Sequence, residues 1–133
     1  IYEVKKDLLT SEGIIAHQVN CKGVMGAGVA KQIKEKLLPA DEFKKYQDTC
    51  TYRNPEDLMN GEILVHGTYS EKQLVVDLFG ENEPTGKGLD TDYVALYKSF
   101  ETLKKMVSKR HSVHKENIWY LLSASRRWMI RLL

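Results

Sequence analysis

Residues 14–30 read Ile-Ile-Ala-His-Gln-Val-Asn-Cys-Lys-Gly-Val-Met-Gly-Ala-Gly-Val-Ala. The run at residues 14–19 is short and apolar, which predicts a buried strand. Three glycines follow within six residues: Gly23, Gly26 and Gly28. Residues 27–38 then predict a helix, and a glycine-rich turn before a helix N-terminus offers an anion backbone N–H groups and about half a positive charge. The stretch therefore indicates either a phosphate-binding loop or a purely structural turn.

The glycine spacing differs from that of the two commonest phosphate-binding motifs. A P-loop needs Gly-Lys followed by Ser or Thr, whereas Gly28 is followed by Val29, Ala30 and Lys31. The dinucleotide fingerprint is G-x-G-x-x-G, whereas this loop is G-x-x-G-x-G. Neither motif accounts for the loop, so the residues around the glycines have to be considered.

Those residues resemble the macrodomain family of ADP-ribose-binding modules. The similarity lies in His-Gln-Val-Asn-Cys at residues 17–21 and in Gly-Val-Met-Gly-Ala-Gly-Val-Ala at residues 23–30. It is greatest to the branch of ADP-ribose 1''-phosphate phosphatases and terminal ADP-ribose protein hydrolases. Lys-Lys-Asp-Leu at residues 5–8 resembles the family's Gly-Asp-Ile or Gly-Asp-Leu motif. The resemblance implies an α/β fold of three layers, α/β/α, with a mixed central sheet, in one macrodomain-like domain over residues 1–133.

The resemblance also implies the ligand contacts. Asp7 would accept a hydrogen bond from the adenine amino group while the backbone N–H of Leu8 approaches the base. The residue alone favours a turn or helix cap for Asp7. Asn20 would reach the distal ribose, and the backbone of residues 26–29 would hold the diphosphate. The ligand-binding residues predicted in the loop are Gly23, Met25, Gly26, Ala27, Gly28 and Val29.

Asn20 and His17 are the candidate catalytic residues. In a hydrolysis, they would position a water that attacks the phosphoryl group or the anomeric carbon. A lone histidine beside a buried strand is, however, more often a satisfied core residue. The protein hydrolases of the family carry a nucleophilic lysine after the fourth strand, where this chain has Gly-Glu-Asn at residues 80–82, and Lys87 follows too late. A binding-only reader of ADP-ribose or of ADP-ribosylated protein therefore stays open beside an enzyme.

The C-terminal residues depart from the macrodomain pattern. The family carries a second glycine-rich loop after its fifth strand, but residues 122–133 contain neither a glycine nor an acid. The family's closing helix and last strand are missing as well, so this tail is predicted to be atypical. Arg126 and Arg127 could replace the missing backbone donors as phosphate contacts, or they could form a solvated basic end.

Apolar spacing predicts the remaining elements. The strands are expected at residues 1–4, 62–68, 73–79 and 117–122, and the other helices at residues 40–50 and 91–109. Residues 54–61 are expected to form a polar connection. The longest helix has an apolar stripe that is predicted to face the core: Val94, Tyr97, Phe100, Leu103 and Val107.

Composition limits the other classes of function. With 133 residues, 42% of them hydrophobic, the chain has enough apolar material for one core. Its longest apolar run is far below the roughly 20 residues that span a membrane. Cys21 and Cys50 lack metal-site spacing and indicate free thiols in a reducing cytoplasm. His111 and His114 are too few to hold a metal, and neither a metal nor another cofactor is predicted.

A nucleic-acid-binding domain is the lower-ranked alternative. It would use the basic residues 104–115 and the arginine tail. The net charge of +2 is small for a polyanion-binding surface. No exposed aromatic residues are predicted among these basic residues, which ranks this function below ADP-ribose binding.

Overall fold

The computed structural model describes residues 2–5, 7–85, 90–109, 118–121 and 128–131. The strands are β1 (Tyr2–Lys5), β2 (Gly13–Val19), β3 (Ile63–Gly67), β4 (Gln73–Phe79), β5 (Ile118–Leu121) and β6 (Trp128–Arg131). The helices are α1 (Gly28–Lys36), α2 (Ala40–Tyr52), α3 (Pro55–Leu58) and α4 (Tyr93–Lys109), and a short 3-10 helix covers Leu8–Thr10. The predicted mixed α/β architecture is confirmed.

The six strands form one mixed sheet in the order β1-β6-β5-β2-β4-β3. The buried run that begins the glycine-rich stretch forms β2, which pairs in parallel with β4 on one side and with β5 on the other. Antiparallel β3 borders β4, and antiparallel β6 separates β5 from β1. Three parallel strands therefore end at the same edge of the sheet, and β1 runs in their direction.

The two faces of β2 pack against different helices, which makes the three layers. Ile15 and Val19 join the apolar residues of α1, α2 and α3 in one cluster. Ile14 and Ala16 join Leu103 of α4 in the other. This alternation is the period of a strand that is buried on both sides, as the continuous apolar run predicted.

Helix α1 buries the predicted face. Val29, Ile33 and Leu37 are 6%, 0% and 6% exposed, and all three belong to the cluster on that side of the sheet. The spacing i, i+4, i+8 therefore fixes how α1 lies on the sheet. Because Val29 is the second residue of α1, its burial also anchors the end of the glycine-rich loop.

The prediction of the core stripe on α4 is wrong at its N-terminal end. Val94 and Tyr97 are each 65% exposed, whereas Ala95, Ser99 and Leu103 are buried. The helix is rotated so that small residues face the sheet in the first turns and leave the larger side chains in solvent. Sequence spacing alone does not distinguish these two faces, because both have apolar residues at helical intervals.

Two further elements differ from the sequence predictions. Residues 54–61, expected as a plain connection, include the short helix α3, which Pro55 begins and whose N-cap is Asn54. The atypical tail contributes β6, which pairs with β1 on one side and with β5 on the other. The expectation that the last strand is missing is therefore wrong. In the described part of the chain, no helix is long and apolar enough to cross a membrane.

Candidate functional site

The glycine-rich loop leaves the sheet at the edge where the parallel strands end. Asn20 follows the last residue of β2, and Gly80 follows the last residue of β4. In open α/β sheets ligands bind at this edge, because the loops that leave neighbouring parallel strands meet there. The residues predicted from the loop therefore share one end of the molecule with the loop after β4.

Asn20 organises the first half of the loop through its side chain. Its Nδ2 donates to the carbonyl oxygen of Val24 at 2.8 Å, and its Oδ1 accepts from the backbone N–H of Lys22 at 2.9 Å. The residue is only 6% exposed. These bonds close the turn over residues 20–24, so Asn20 has a loop-holding role in addition to the ligand contact predicted from the sequence.

Two side chains of helix α2 contact Asn20. The hydroxyl of Tyr46, which is completely buried, lies 2.8 Å from the carbonyl oxygen of Asn20 and 2.9 Å from its Oδ1. The thiol of Cys50, one turn further along, also faces that carbonyl oxygen at 3.7 Å. Tyr46 and Cys50 of α2 are not among the site residues predicted from the sequence. Their polar atoms connect that helix to the loop.

Positive φ angles occur at two of the three loop glycines. Gly23 has φ +77° and Gly28 has φ +60°, a region that residues with a Cβ adopt only with strain. Gly26 has no such angle, and a Cβ there would meet Val24 at an ordinary 3.5 Å. The loop therefore needs glycine for its own conformation at Gly23 and Gly28, while Gly26 keeps its exposed backbone uncovered.

The second half of the loop presents backbone rather than side chains. The side chains of Met25 and Val29 are buried, at 2% and 6% exposure, whereas Gly26, Ala27 and Gly28 are exposed. Ala27 is the N-cap residue of α1 and has no side-chain acceptor for the first N–H groups of the helix. These groups lack intrahelical acceptors, and the helix end carries partial positive charge. This arrangement suits an anion.

Asp7 lies at the end of β1, on the same edge of the sheet. Its Oδ1 accepts from the backbone N–H of Leu9 at 3.0 Å, at the start of the 3-10 helix that Leu8 begins. The capping role that the residue alone suggested is therefore present. The adenine contact that the resemblance implies for Asp7 and Leu8 stays a prediction.

The loop after β4 is tied to the glycine-rich loop. The backbone N–H of Cys21 donates to the carbonyl oxygen of Asn82 at 3.0 Å. A Cβ at Gly80 would come within 2.8 Å of Oε1 of Gln18, and that oxygen accepts from the hydroxyl of Thr91. The close packing of Gly80 on Gln18 had no signal in the sequence beyond the glycine itself.

Two groups beside these loops have raised pKa values. Burial, then the nearby Cys50, raises the pKa of the Cys21 thiol to about 11, so the thiol is neutral at physiological pH. Burial, then the charge of Asp90, raises the pKa of Glu81. Glu81 lies within residues 80–82, the segment at which the resemblance implies a nucleophilic lysine in the protein hydrolases, and a carboxyl group cannot form the same covalent adduct.

His17 belongs to a buried polar network inside the sheet. The residue is 3% exposed, and its Nε2 lies 2.7 Å from Oδ1 of Asp77 on the neighbouring strand β4. Asp77 is fully buried, and its other oxygen lies 2.6 Å from Nε2 of His66 on β3. The core role considered for His17 is therefore observed, and its catalytic role stays a prediction.

Five residues considered above for a role in catalysis, metal binding or phosphate binding lie outside the described residues: Lys87, His111, His114, Arg126 and Arg127. Within the described ranges, no group of three or more His, Cys, Asp and Glu side chains is arranged to hold a metal ion. The network around Asp77 is therefore one of hydrogen bonds. Cys21 and Cys50 are free thiols.

Comparison with known proteins identifies the fold. The sequence matches no family model and no curated protein. Among solved structures it is similar to the macrodomain of Thermus aquaticus DarG, with 20% identity and a TM-score of 0.62, over 80% of this chain and 67% of that one. A macrodomain protein from Streptomyces coelicolor gives 16% identity and a TM-score of 0.62, over 78% of this chain and 69% of that one.

A third similar structure contains a ligand. Thermosipho africanus DarTG, solved in complex with ADP-ribose, gives 15% identity and a TM-score of 0.57, over 78% of this chain and 28% of that one. The predicted fold class is confirmed: the chain has the macrodomain fold.

Proposed function

We propose that this protein of macrodomain fold binds ADP-ribose or one of its derivatives at the edge where β2 and β4 end. The single observation that carries the proposal is the uncapped N-terminus of α1. There the exposed backbone of Gly26, Ala27 and Gly28 is held open by the positive φ angle of Gly28. A diphosphate is the anion that such a run of backbone N–H groups recognises.

The remaining contacts in this proposal are those that the macrodomain resemblance implies for Asp7, Leu8 and Asn20. Asp7 would accept from the adenine amino group, and Leu8 would bring its backbone N–H to the base. Asn20 would meet the distal ribose with an amide that can both donate and accept. The known complex of a structurally similar protein with ADP-ribose supports this class of ligand.

Hydrolysis of the bound ligand is a more specific function that this proposal includes. A bound water, oriented by Asn20 and assisted by His17, would attack the phosphorus of ADP-ribose 1''-phosphate, so that the P–O1'' bond breaks and inorganic phosphate leaves from ADP-ribose. With an ADP-ribosylated protein, the water would attack the anomeric carbon of the distal ribose, so that the bond to the protein side chain breaks and ADP-ribose is released. Positioning and charge stabilisation would supply most of the rate. Turnover of these two substrates separates an enzyme from a binding-only reader. In an enzyme, Asn20→Ala should reduce turnover more than affinity.

Calorimetric titration of ADP-ribose tests the binding proposal. Gly28→Glu should abolish binding, because it places a negative charge where the diphosphate must lie. Apart from its neighbours in the chain and the backbone of its own helix, a Cβ at Gly28 would meet no atom of the described residues within 4 Å. The substitution therefore adds the local strain of the positive φ angle without a clash with the core, and circular dichroism and the thermal midpoint check that the protein is folded.

Two matched variants separate the causes. Gly28→Ala introduces the strain of the positive φ angle without the charge, and Gly67→Glu introduces the charge at an exposed glycine that also has open space around it. Binding should be weakened in the first and normal in the second. A folded Gly28→Glu protein with wild-type affinity would show that the loop is only a turn.

Nucleic-acid binding is a second candidate, and one observation favours it. The exposed face of α4 carries Tyr93 and Tyr97, each about two-thirds exposed, together with the exposed Lys104 and Lys105. Tyr93 and Tyr97 precede the basic residues 104–115, which contain no aromatic residue themselves. Aromatic rings beside lysines are the combination that binds single strands. Two results would support this candidate: the affinity for a single-stranded oligonucleotide should fall steeply with salt, and it should be weaker in Tyr97→Ala than in the wild type.

A further inference from the structure

His66 lies between two carboxylates in the interior of the protein. It is on β3 and is completely buried. Its Nε2 lies 2.6 Å from Oδ2 of Asp77, and its Nδ1 lies 3.0 Å from Oε1 of Glu42 on α2. An ionised carboxylate only accepts hydrogen bonds, and a neutral imidazole has a single N–H to donate. Both contacts are hydrogen bonds only if the ring carries two protons, that is, if His66 is an imidazolium.

The charged groups around His66 agree with a protonated ring. Asp77 also lies against Nε2 of His17, and Glu42 also pairs with Nζ of Lys45 at 2.9 Å. The charged groups that face His66 are thus the carboxylate of Asp77 on β4, the carboxylate of Glu42 on α2 and the ammonium group of Lys45 on α2. Burial by itself lowers the pKa of His66, but the hydrogen bonds and charges of Asp77, and then the bond to Glu42, raise it overall. This direction of the pKa shift favours the charged form of the ring, which is the form that the two contacts require.

The same helix that His66 holds also supports the loop. Glu42, Tyr46 and Cys50 are spaced four residues apart and therefore lie along one side of α2. Glu42 meets His66, while the polar atoms of Tyr46 and Cys50 meet Asn20. An ion pair inside the protein is thus connected through two turns of one helix to the loop proposed to bind the ligand.

We propose that protonated His66 is a positioning residue for the glycine-rich loop. Its Nε2–H donates to Asp77 in the sheet and its Nδ1–H donates to Glu42, which holds α2 against the sheet, and α2 in turn holds Asn20 in place. When His66 loses a proton at high pH, one of its nitrogens faces a carboxylate without a hydrogen, and α2 is held less firmly. The loop then loses part of its support, and its affinity for the ligand falls. The consequence for ligand affinity rests on the proposed ADP-ribose binding; the coupling of His66 to the loop does not.

Nitrogen-15 NMR of the whole chain tests both parts without any substitution. At pH 7, both ring nitrogens of His66 should show the shifts of protonated nitrogens. On raising the pH from about 6 to about 9, across the usual range of histidine titration, the backbone amide signals of Asn20 and Gly23 should follow the same midpoint as the ring. ADP-ribose affinity, measured over the same range, should fall about tenfold, the equivalent of one hydrogen bond to a charged group.

Glu42→Gln is the matched variant, because the amide keeps an acceptor for Nδ1 and removes the charge. Glu42 is partly exposed, at 22% for its side chain, so this variant is expected to fold. The titration midpoint of His66 and of the loop amides should move together to lower pH by about one pH unit, the usual effect of losing one close opposite charge. Asp48→Asn removes an acid from the same helix that pairs with Lys44 instead, and should leave both midpoints unchanged.

The outcomes are distinct. The proposal is overturned if the His66 ring is neutral at pH 7. It is also overturned if the amide signals of Asn20 and Gly23 do not change over the titration of that ring. Loop amides that follow His66 in a protein with no affinity for ADP-ribose at any pH uphold the coupling and contradict the proposed function instead.

Discussion

The hydroxyl of Tyr46 lies between two oxygens of Asn20, 2.8 Å from the carbonyl oxygen and 2.9 Å from Oδ1. Asn20 is the residue with which β2 passes into the glycine-rich loop, and Tyr46 is the most deeply buried aromatic residue of α2. The ring of Tyr46 also stacks on Phe79, the last residue of β4, with the centroids 6.3 Å apart. A single side chain thus joins the helix layer, the end of β4 and the start of the candidate site.

Tyr46→Phe should destabilise the protein and weaken ligand binding. The substitution keeps the ring on Phe79 but leaves the buried oxygens of Asn20 without their hydroxyl donor, which costs about 1–3 kcal/mol. Chemical unfolding measures the first effect and calorimetry with ADP-ribose the second. Tyr52→Phe is the control, because Tyr52 is on the same helix and is 83% exposed. Equal stability of the two variants would show that the bond to Asn20 contributes little.

The free energy of unfolding should fall at both ends of the pH range. Burial opposes the charge on His66, but Asp77 and Glu42 outweigh it and raise its pKa above the ordinary 6.5. This stabilisation is complete below pH 6.5 and is lost as the pH rises through the folded-state pKa. Burial likewise opposes the charge on Asp77, but the hydrogen bonds of His17 and His66 lower its pKa below 3.8. That stabilisation is complete well above pH 3.8 and is lost as the pH falls through the lower folded-state value.

Urea unfolding over a pH series measures both losses. In His66→Gln the fall at alkaline pH should be smaller than in the wild type, because the group that loses its proton is gone. If that variant does not fold, Glu42→Gln serves instead, and its alkaline fall should begin at lower pH. If the free energy of unfolding falls in the same way at alkaline pH in the wild type and in a folded variant, His66 is excluded as the source of that fall.

Asp7→Ala should weaken ADP-ribose binding by about 1.5–3 kcal/mol, the value of a hydrogen bond to a charged group. The structure adds a control, because Oδ1 of Asp7 also caps the N–H of Leu9. Asp7→Asn keeps a side-chain oxygen for that cap and removes the charge offered to adenine. Inosine diphosphate ribose lacks the amino group and should bind the wild type poorly. Equal affinity of the wild type for the two ligands would contradict the adenine contact.

Gly80→Ala should destabilise the loop after β4. The new Cβ would lie 2.8 Å from Oε1 and 3.0 Å from Cγ of Gln18, so the glutamine has to move and lose its bond to Thr91. Overpacking of this kind costs about 1–3 kcal/mol. Gly67→Ala, where the described residues leave open space around the Cβ, is the matched control. A thermal midpoint for Gly80→Ala equal to that of the control would mean that Gln18 relaxes without cost.

Local chemistry determined the parts of the fold that depend on neighbours in sequence. The apolar run of β2, the turn of glycines and the spacing of Val29, Ile33 and Leu37 together predict strand, loop and helix, because each element has its own period and its own conformational requirement. The resemblance of that stretch to macrodomains predicted the sheet and the layers as well. The sequence predicts a glycine requirement at Gly23, Gly26 and Gly28 alike, whereas positive φ angles occur only at Gly23 and Gly28 among these three.

Pairing between distant residues was decided by the tertiary structure. Residues 128–131 have no pattern that distinguishes a strand between β1 and β5 from a solvated end, because a strand's partners supply most of its stability. The exposed side of α4 was likewise set by how closely its small residues approach the sheet, and not by the spacing that Val94 and Tyr97 share with a core stripe.

The network around Asp77 shows the same limit at the level of chemistry. His17, His66 and Asp77 are far apart in sequence, and none of them is in a motif with the other two. The pairing of β2 and β3 with β4 brings Nε2 of His17 to 2.7 Å and Nε2 of His66 to 2.6 Å from the carboxylate of Asp77, and α2 adds Glu42 to the far side of His66. Sequence could indicate that His17 was a satisfied core residue. The partner that satisfies it, and the proton that His66 holds, were decided by the packing of strands and a helix, because a buried charge is stable only where the fold places its counter-charge.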